Sequence, residues 1–221
     1  THVFFHSLVV DPTAAFSSYK ADEYNEVMTT IDEFCKIIQS MYDRGYVLVS
    51  LHDIAEIQVQ EDGTEKMVQK EIMLPPGKTP FVLSVDDVSY YEYMENTGFA
   101  SRLVIGGDGM VTNEMDLYDE NGNVTGTVTG SFDVLPILED FIKVHPDFSY
   151  QGAKGIIALT GYNGILGYRT SDVSYGPGNT TLPEAHLWDN PNIEEDKQKA
   201  KTVAEAIKNQ GWEFASHSWG H

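Results

Sequence analysis

Short uninterrupted apolar runs recur along this chain and are separated by longer polar-rich stretches. The runs lie around residues 4, 48, 83 and 157, and a further one precedes His217. Runs of this length are typical of buried strands in parallel sheets, where both faces of a strand are covered. We therefore predict five parallel strands joined by helical connections.

Three of the intervening stretches show helical spacing of their apolar residues. These stretches are residues 21–44, 134–144 and 194–209. Gly45, directly after the first stretch, is a candidate C-cap. The apolar positions that define the first stretch are Val27, Ile31, Phe34, Ile37, Ile38 and Met41. Residues three and four apart share one face of a helix, so each stretch predicts an amphipathic helix.

Two segments alternate polar and apolar residues around Asp-Gly and Asn-Gly turns, which predicts β-hairpins. They cover residues 57–74 and 110–130. We place them in insertions, at about 57–74 and 107–192, within one domain spanning 1–221. Strands that alternate with helices favour a barrel-like α/β fold, although five strands are too few to close a barrel.

The chain is strongly acidic. It has 34 acidic and 14 basic residues among 221, for a formal net charge of −20. Phosphate recognition needs clustered Lys and Arg, so nucleic acid and anionic lipid are excluded as partners. A neutral or cationic partner is compatible with this charge, which is also explained by solubility alone.

Two further features limit the class of protein. The sequence contains no apolar run of 18 or more residues, so it predicts no transmembrane helix. The single cysteine, Cys35, excludes an intramolecular disulfide, and its place in an amphipathic segment predicts a buried thiol. The sequence leaves the oligomeric state open.

Adjacent acids, Asp86 and Asp87, follow the apolar run 78–85 at the carboxyl end of its predicted strand. Sites in α/β sheets gather at this end of the strands. One Asp is explained as the N-cap of a helix that we expect to begin at Val88. The second acid is not explained by capping, because adjacent carboxylates repel each other, and it favours a chemical role.

His217 and His221 are four residues apart, directly after another predicted strand. Imidazole nitrogen and carboxylate oxygen are common ligands of zinc, and a catalytic zinc site keeps one position open for water. The spacing alone also fits two unrelated histidines. The H-E-x-x-H pattern of zinc proteases is absent, since no Glu follows His217.

Four motifs, in the same order, resemble the polysaccharide deacetylase family of the NodB-homology type. That family has a strand ending in T-F-D-D-G and a later one ending in H-[ST]-x-x-H; this chain has Ser84-Val85-Asp86-Asp87-Val88 and His217-Ser218-Trp219-Gly220-His221. Residues 3–8 resemble the family's first strand, and residues 24–53 resemble its helix and its G-Y-x-x-[VL]-S-L strand. The segment 210–217 resembles x-G-H-E-I-x-S-H. The middle of the chain is not covered.

The resemblance implies a distorted (β/α) barrel, here incomplete, and a metal-dependent deacetylase. Asp87, His217 and His221 would be the ligands of a divalent metal, zinc, and Asp86 would be the general base on metal-bound water. The substrate would be an N- or O-acetylated carbohydrate. The family is mostly exported, which implies an extracytoplasmic or secreted location.

The chain departs from the family pattern in two respects. Val88 stands where the family has Gly, and Ser84-Val85 stand where it has Thr-Phe. The family's arginine motif and catalytic-acid His lie beyond its second metal His, so we expect either that residues 1–221 correspond to an N-terminal portion of such a domain or that the site is completed in another way. We expect such a portion to lack full activity.

A loop rich in Gly, Asn, Tyr and Pro spans residues 161–192. Loops this long are usually functional or disordered. Tyr162, Tyr168 and Arg169 in this loop, with Trp219 between the two histidines, are candidate substrate-binding residues because they can stack on or hydrogen bond a sugar. A packed structural loop is the other explanation.

Two other functions fit the same residues. One is a non-catalytic carbohydrate-binding or surface protein on a degenerate deacetylase scaffold. The other is a different metal-dependent hydrolase, such as an amidase that cleaves a small C–N bond.

Overall fold

The computed structural model describes residues 1–177 and 189–219. The strands in these ranges are β1 (His2–Phe5), β2 (Tyr46–Leu48), β3 (Ala55–Val59), β4 (Glu65–Gln69), β5 (Thr79–Asp87), β6 (Arg102–Ile105), β7 (Val111–Tyr118), β8 (Val124–Gly130), β9 (Ile156–Leu159) and β10 (Glu213–Ser216). The α-helices are α1 (Pro12–Ala15), α2 (Ala21–Val27), α3 (Ile31–Asp43), α4 (Leu51–Ile54), α5 (Val134–Val144), α6 (Asp172–Tyr175) and α7 (Ile193–Asn209). Short 3₁₀ turns lie at Glu92–Met94, Pro146–Phe148 and Tyr150–Gly152.

Five strands form one parallel sheet. Its order is β1-β5-β9-β10, and β2 pairs with the first residues of β5. These are the five strands that the apolar runs predict, so that prediction is confirmed. The sheet does not close into a barrel within the described residues, and the barrel assignment stays a prediction.

One face of this sheet packs against the helices and carries the main core. Phe5, Leu83, Val85 and Ile157 belong to that core and are all under a tenth exposed. Side chains alternate between the two faces along a strand, so the neighbours of these residues in sequence belong to the opposite face. Asp86 therefore lies on the face opposite to the core.

The single helix predicted over residues 21–44 is wrong in its extent: α2 ends at Val27, Met28 is extended, and α3 starts after Thr30. Helix α3 begins at a reciprocal N-terminal cap. The Thr30 hydroxyl accepts the Glu33 N–H, and the Glu33 carboxylate accepts the Thr30 N–H. Phe34 and Ile38 are the buried side chains of the helix. Cys35 is exposed, so the predicted buried thiol is wrong: one residue on from Phe34 is about 100° around the helix from the buried face.

Gly45 follows this helix, as predicted, and its backbone conformation explains why glycine is needed. Its φ is +79°, in the left-handed region. A Cβ atom at this position would lie 2.9 Å from the carbonyl oxygen of Gly77, in the turn before β5. The glycine thus lets the turn before β2 approach the turn before β5, so that β2 and β5 can pair.

The antiparallel parts of the fold are a two-stranded hairpin and a three-stranded sheet. The hairpin pairs β3 with β4, which confirms the predicted hairpin with slightly earlier bounds. The second predicted hairpin, β7 with β8, is also present, and β6 joins it as a third strand. The described chain is therefore mixed α/β, with one parallel sheet and separate antiparallel sheets.

No helix within residues 1–177 and 189–219 combines the length and the apolar character needed to cross a bilayer.

Candidate functional site

The carboxyl ends of three neighbouring strands meet at one edge of the parallel sheet. Asp86 and Asp87 end β5 and lie opposite Ala158 and Leu159 of β9. The backbone N–H of His217, directly after β10, donates to the Leu159 carbonyl at 2.8 Å. Because parallel strands place their carboxyl ends at a common edge, residues 130 positions apart in sequence come together here.

The imidazole of His217 lies between the two carboxylates. Its Nε2 is 3.6 Å from Oδ2 of Asp86, and its Nδ1 is 3.5 Å from Oδ1 of Asp87. The Asp side chains are 17% and 13% exposed and the His side chain 32%, so water and a small solute can reach the cluster. Three of the four predicted chemical residues are thus adjacent.

Each carboxylate also receives a hydroxyl hydrogen bond from its own neighbour. Thr160, directly after β9, donates from Oγ1 to Oδ1 of Asp87 at 2.6 Å. Ser84, two residues before Asp86, donates from Oγ to its Oδ1 at 3.2 Å. Sequence reasoning did not select these residues for the site. A polar residue at the end of the buried run 156–159 was the signal for Thr160.

The separation of these donor atoms fits a shared metal ion. Two ligands bonded at about 2.0–2.2 Å in tetrahedral geometry lie about 3.4 Å apart. The 3.5 Å between Nδ1 of His217 and Oδ1 of Asp87 is close to that value. His221, the third expected ligand, lies outside the described residues, and within them no group of three His, Cys, Asp or Glu side chains is arranged to hold a metal. The zinc cofactor stays a prediction.

The backbone after β5 has an uncommon conformation. Asp87, Val88 and Tyr90 have φ values of +70°, +39° and +45°. The helix expected from Val88 is therefore wrong, and only the 3₁₀ turn Glu92–Met94 forms. A positive φ is a genuine outlier for a β-branched residue, and such strain clusters at functional sites.

Because Val88 has a positive φ, we expect Val88→Gly and Val88→Ala not to follow the usual order of stability, in which the alanine variant is the more stable. At an ordinary position Gly is about 1 kcal/mol less stable than Ala. Val88 is buried, so Val88→Ala and Val88→Gly both lose its packing, but only Ala keeps a Cβ at positive φ. We expect Val88→Gly to be at least as stable as Val88→Ala in urea denaturation. An alanine variant that is clearly the more stable of the two would contradict the strain.

Arg169 holds the strained segment in place. Its guanidinium donates to the carbonyl oxygens of Ser89 and Tyr90, at 3.3 and 2.8 Å, and to the Glu95 carboxylate at 3.0 Å. Its side chain is 11% exposed. Arg169 thus fixes the backbone of the segment that follows the two acids, and its predicted contact with substrate stays a prediction.

Tyr168 has a similar structural position. It is 8% exposed, packs in the main core, and donates its hydroxyl to the Leu103 carbonyl at 3.0 Å. Its predicted contact with a sugar would need that core to open.

Tyr162 and Trp219 lie beside the Asp–His cluster. The Tyr162 N–H donates to the Trp219 carbonyl at 2.8 Å, and the two rings are 6.0 Å apart. Trp219 is half exposed, whereas Tyr162 stacks on the buried ring of Tyr91 at 5.5 Å. Burial, with a smaller effect of the Asp87 carboxylate, raises the pKa of Tyr91, so its phenol stays neutral. Trp219 is thus an exposed ring anchored next to the acids.

No protein-family model, no curated protein and no solved structure matches this chain. The interpretation of the site therefore depends on its geometry and on the motifs themselves.

Proposed function

We propose that this chain is a metal-dependent hydrolase that removes acetyl groups from N- or O-acetylated carbohydrate. The observation that carries the proposal is the placement of His217 between Asp86 and Asp87 at the carboxyl edge of the parallel sheet. A histidine and two acids at one accessible edge are the residue types that metal-assisted hydrolysis needs. The alternative explanations of these residues, a helix cap and an unrelated histidine, do not account for their proximity.

The two acids have different roles in this proposal. Asp87 and His217, with His221, would hold a divalent metal, and zinc suits this mixture of imidazole and carboxylate. The bound metal would polarise the acetyl carbonyl and lower the pKa of water. Asp86 accepts the proton of the attacking water as the general base. Thr160 keeps the Asp87 carboxylate in one orientation through its hydrogen bond.

The surroundings of the site support a carbohydrate substrate. The exposed ring of Trp219, beside Tyr162, offers an apolar face on which a sugar ring can stack. The net charge of −20 favours neutral or cationic substrates, and a partly deacetylated amino sugar is cationic. An exported location belongs to the same proposal.

Acetate release tests this function directly. The chain is incubated with chitooligosaccharides, acetylated peptidoglycan fragments or acetylated xylan, before and after treatment with a chelator. We expect release that stops when metal is removed and returns when zinc is added. Turnover that is unaffected by chelation would contradict the metal role, and tight sugar binding without any hydrolysis would indicate a non-catalytic carbohydrate-binding protein. Faster hydrolysis of simple amides would favour a different C–N hydrolase.

A further inference from the structure

A second line of polar contacts approaches Asp86 from the side opposite to His217. Nε2 of His2 lies 3.0 Å from Oγ of Ser84, and Ser84 donates to Oδ1 of Asp86 at 3.2 Å. We infer that Ser84, supported by His2, is a positioning residue that holds the Asp86 carboxylate in the orientation needed for proton transfer. The inference rests on the proposed function for its kinetic consequence.

The pairing of β1 with β5 explains why these side chains meet. Phe4 lies opposite Ser84, and His2 lies opposite Val82, so His2, Ser84 and Asp86 share one face of the sheet. This is the face opposite to the main core. Ser84 is nonetheless 7% exposed, so its hydroxyl has little water to bond with and depends on these two partners.

The number of available protons decides which group donates in the His2–Ser84 and Ser84–Asp86 contacts. A serine hydroxyl has one proton, and a carboxylate can only accept. Ser84 therefore gives its proton to Asp86, and its oxygen accepts the Nε2–H of His2. The imidazole thus fixes the rotation of the hydroxyl, and the hydroxyl fixes the rotation of the carboxylate.

The two oxygens of the Asp86 carboxylate have different partners. Oδ1 of Asp86 is occupied by Ser84, while Oδ2 faces His217. Oδ2 is therefore the oxygen left for proton transfer, on the side of the carboxylate that faces Nε2 of His217. A carboxylate that rotated freely would present this oxygen for only part of the time, which lowers the rate of proton transfer.

The support of Asp86 is separate from that of Asp87. Ser84 contacts the proposed base, whereas Thr160 contacts the proposed ligand. The two hydroxyls therefore make a matched pair of variants. Loss of Ser84 should impair the chemical step, and loss of Thr160 should impair metal binding.

The experiment measures kcat, KM and zinc affinity for Ser84→Ala, Ser84→Thr, His2→Ala and Thr160→Val. Because outer partners of this kind typically contribute about 10–100-fold, we expect Ser84→Ala to lower kcat about 10-fold with KM and zinc affinity unchanged. Ser84→Thr, which keeps the hydroxyl, should restore kcat. His2→Ala should have a smaller effect and add nothing to Ser84→Ala. Thr160→Val should instead weaken zinc binding.

Crystal structures of the wild-type chain, Ser84→Ala and Ser84→Thr keep the inference separate from the proposed function. We expect the Asp86 carboxylate to rotate in the alanine variant and to keep its orientation in the threonine variant. Absence of acetate release by the wild-type chain, with zinc, would remove the proposed function while these structures still decide the positioning. An unrotated carboxylate in Ser84→Ala, or an unchanged kcat, would overturn the inference.

Discussion

Asp86→Asn is expected to lower kcat for acetate release by about 10²–10⁴-fold, the usual contribution of a general base. The amide keeps the shape of the side chain and can still accept the Ser84 hydrogen bond. It cannot take a proton from water at neutral pH. Zinc should remain bound, because the proposed ligands are unchanged. Steady-state kinetics with isothermal titration calorimetry for zinc measures both quantities.

Two further variants define the result. Asp87→Asn should weaken zinc binding and activity together, because it alters the proposed ligand. Asp108→Asn, in the exposed turn between β6 and β7, should change neither zinc binding nor activity. If Asp86→Asn turned over at the wild-type rate, the assignment of Asp86 as the base would have to be abandoned.

Asp133→Ala is expected to destabilise the fold by about 3–5 kcal/mol, since it leaves several buried donors without an acceptor. Asp133 is 3% exposed. It accepts hydrogen bonds from the N–H of Leu8 at 3.0 Å, the N–H of Val134 at 2.7 Å and the hydroxyl of Tyr90 at 2.6 Å. One carboxylate thus joins the segment after β1, the first turn of α5 and the strained segment after β5. Urea denaturation measures the loss.

Asp140→Ala is the matched control for this prediction. Asp140 is on the same helix, but its side chain is 56% exposed and pairs with Lys143 at the surface. Removing such a surface pair typically changes stability by about 0–1 kcal/mol. Equal losses in the Asp133 and Asp140 variants would show that the buried network does not join the three segments as described.

The same carboxyl predicts a pH dependence. Burial raises the pKa of Asp133 above its ordinary value, although the hydrogen bond from Tyr90 acts in the opposite direction. A raised folded pKa contributes stability that is fully present below the unfolded value of about 3.9 and is lost as pH rises through the folded value. Asp133→Asn cannot ionise and lacks this term. Its destabilisation relative to wild type should therefore shrink as pH rises above about 4, and a growing difference would contradict the sign.

The strands of the parallel sheet were predictable because their signal is local. The run 79–85 is almost continuously apolar, and a strand covered on both faces needs such a run wherever it lies in the sheet. The second half of the predicted helix 21–44 was predictable for the same reason, since the spacing of α3 and its terminal glycine are contained in consecutive residues, whereas the break before Thr30 was not predicted. The exposure of Cys35 was missed because spacing defines a stripe, and a residue at its margin can fall on either side.

The segment after β5 was not predictable from local residues. Residues 88–94 have an apolar and aromatic composition that fits a helix, but the chain takes positive φ values at Val88 and Tyr90. The partners that oppose a helix here are Arg169, which binds backbone carbonyls, and Asp133, which binds the Tyr90 hydroxyl. These partners are 79 and 43 residues away from Tyr90 in sequence. Tertiary contacts of this kind override local propensity.

The apolar runs alone predicted that Asp86, Asp87 and His217 follow strands, and the carboxyl ends of parallel strands share one edge of the sheet. The tertiary structure was needed to identify the groups that support these acids, because Thr160 contacts Asp87, and His2 contacts Ser84, through pairings between strands distant in sequence. It also showed that Tyr168 packs in the main core and that Arg169 binds the backbone carbonyls of Ser89 and Tyr90. The type of each side chain is known from the sequence, but the groups that it contacts depend on the fold of the whole chain.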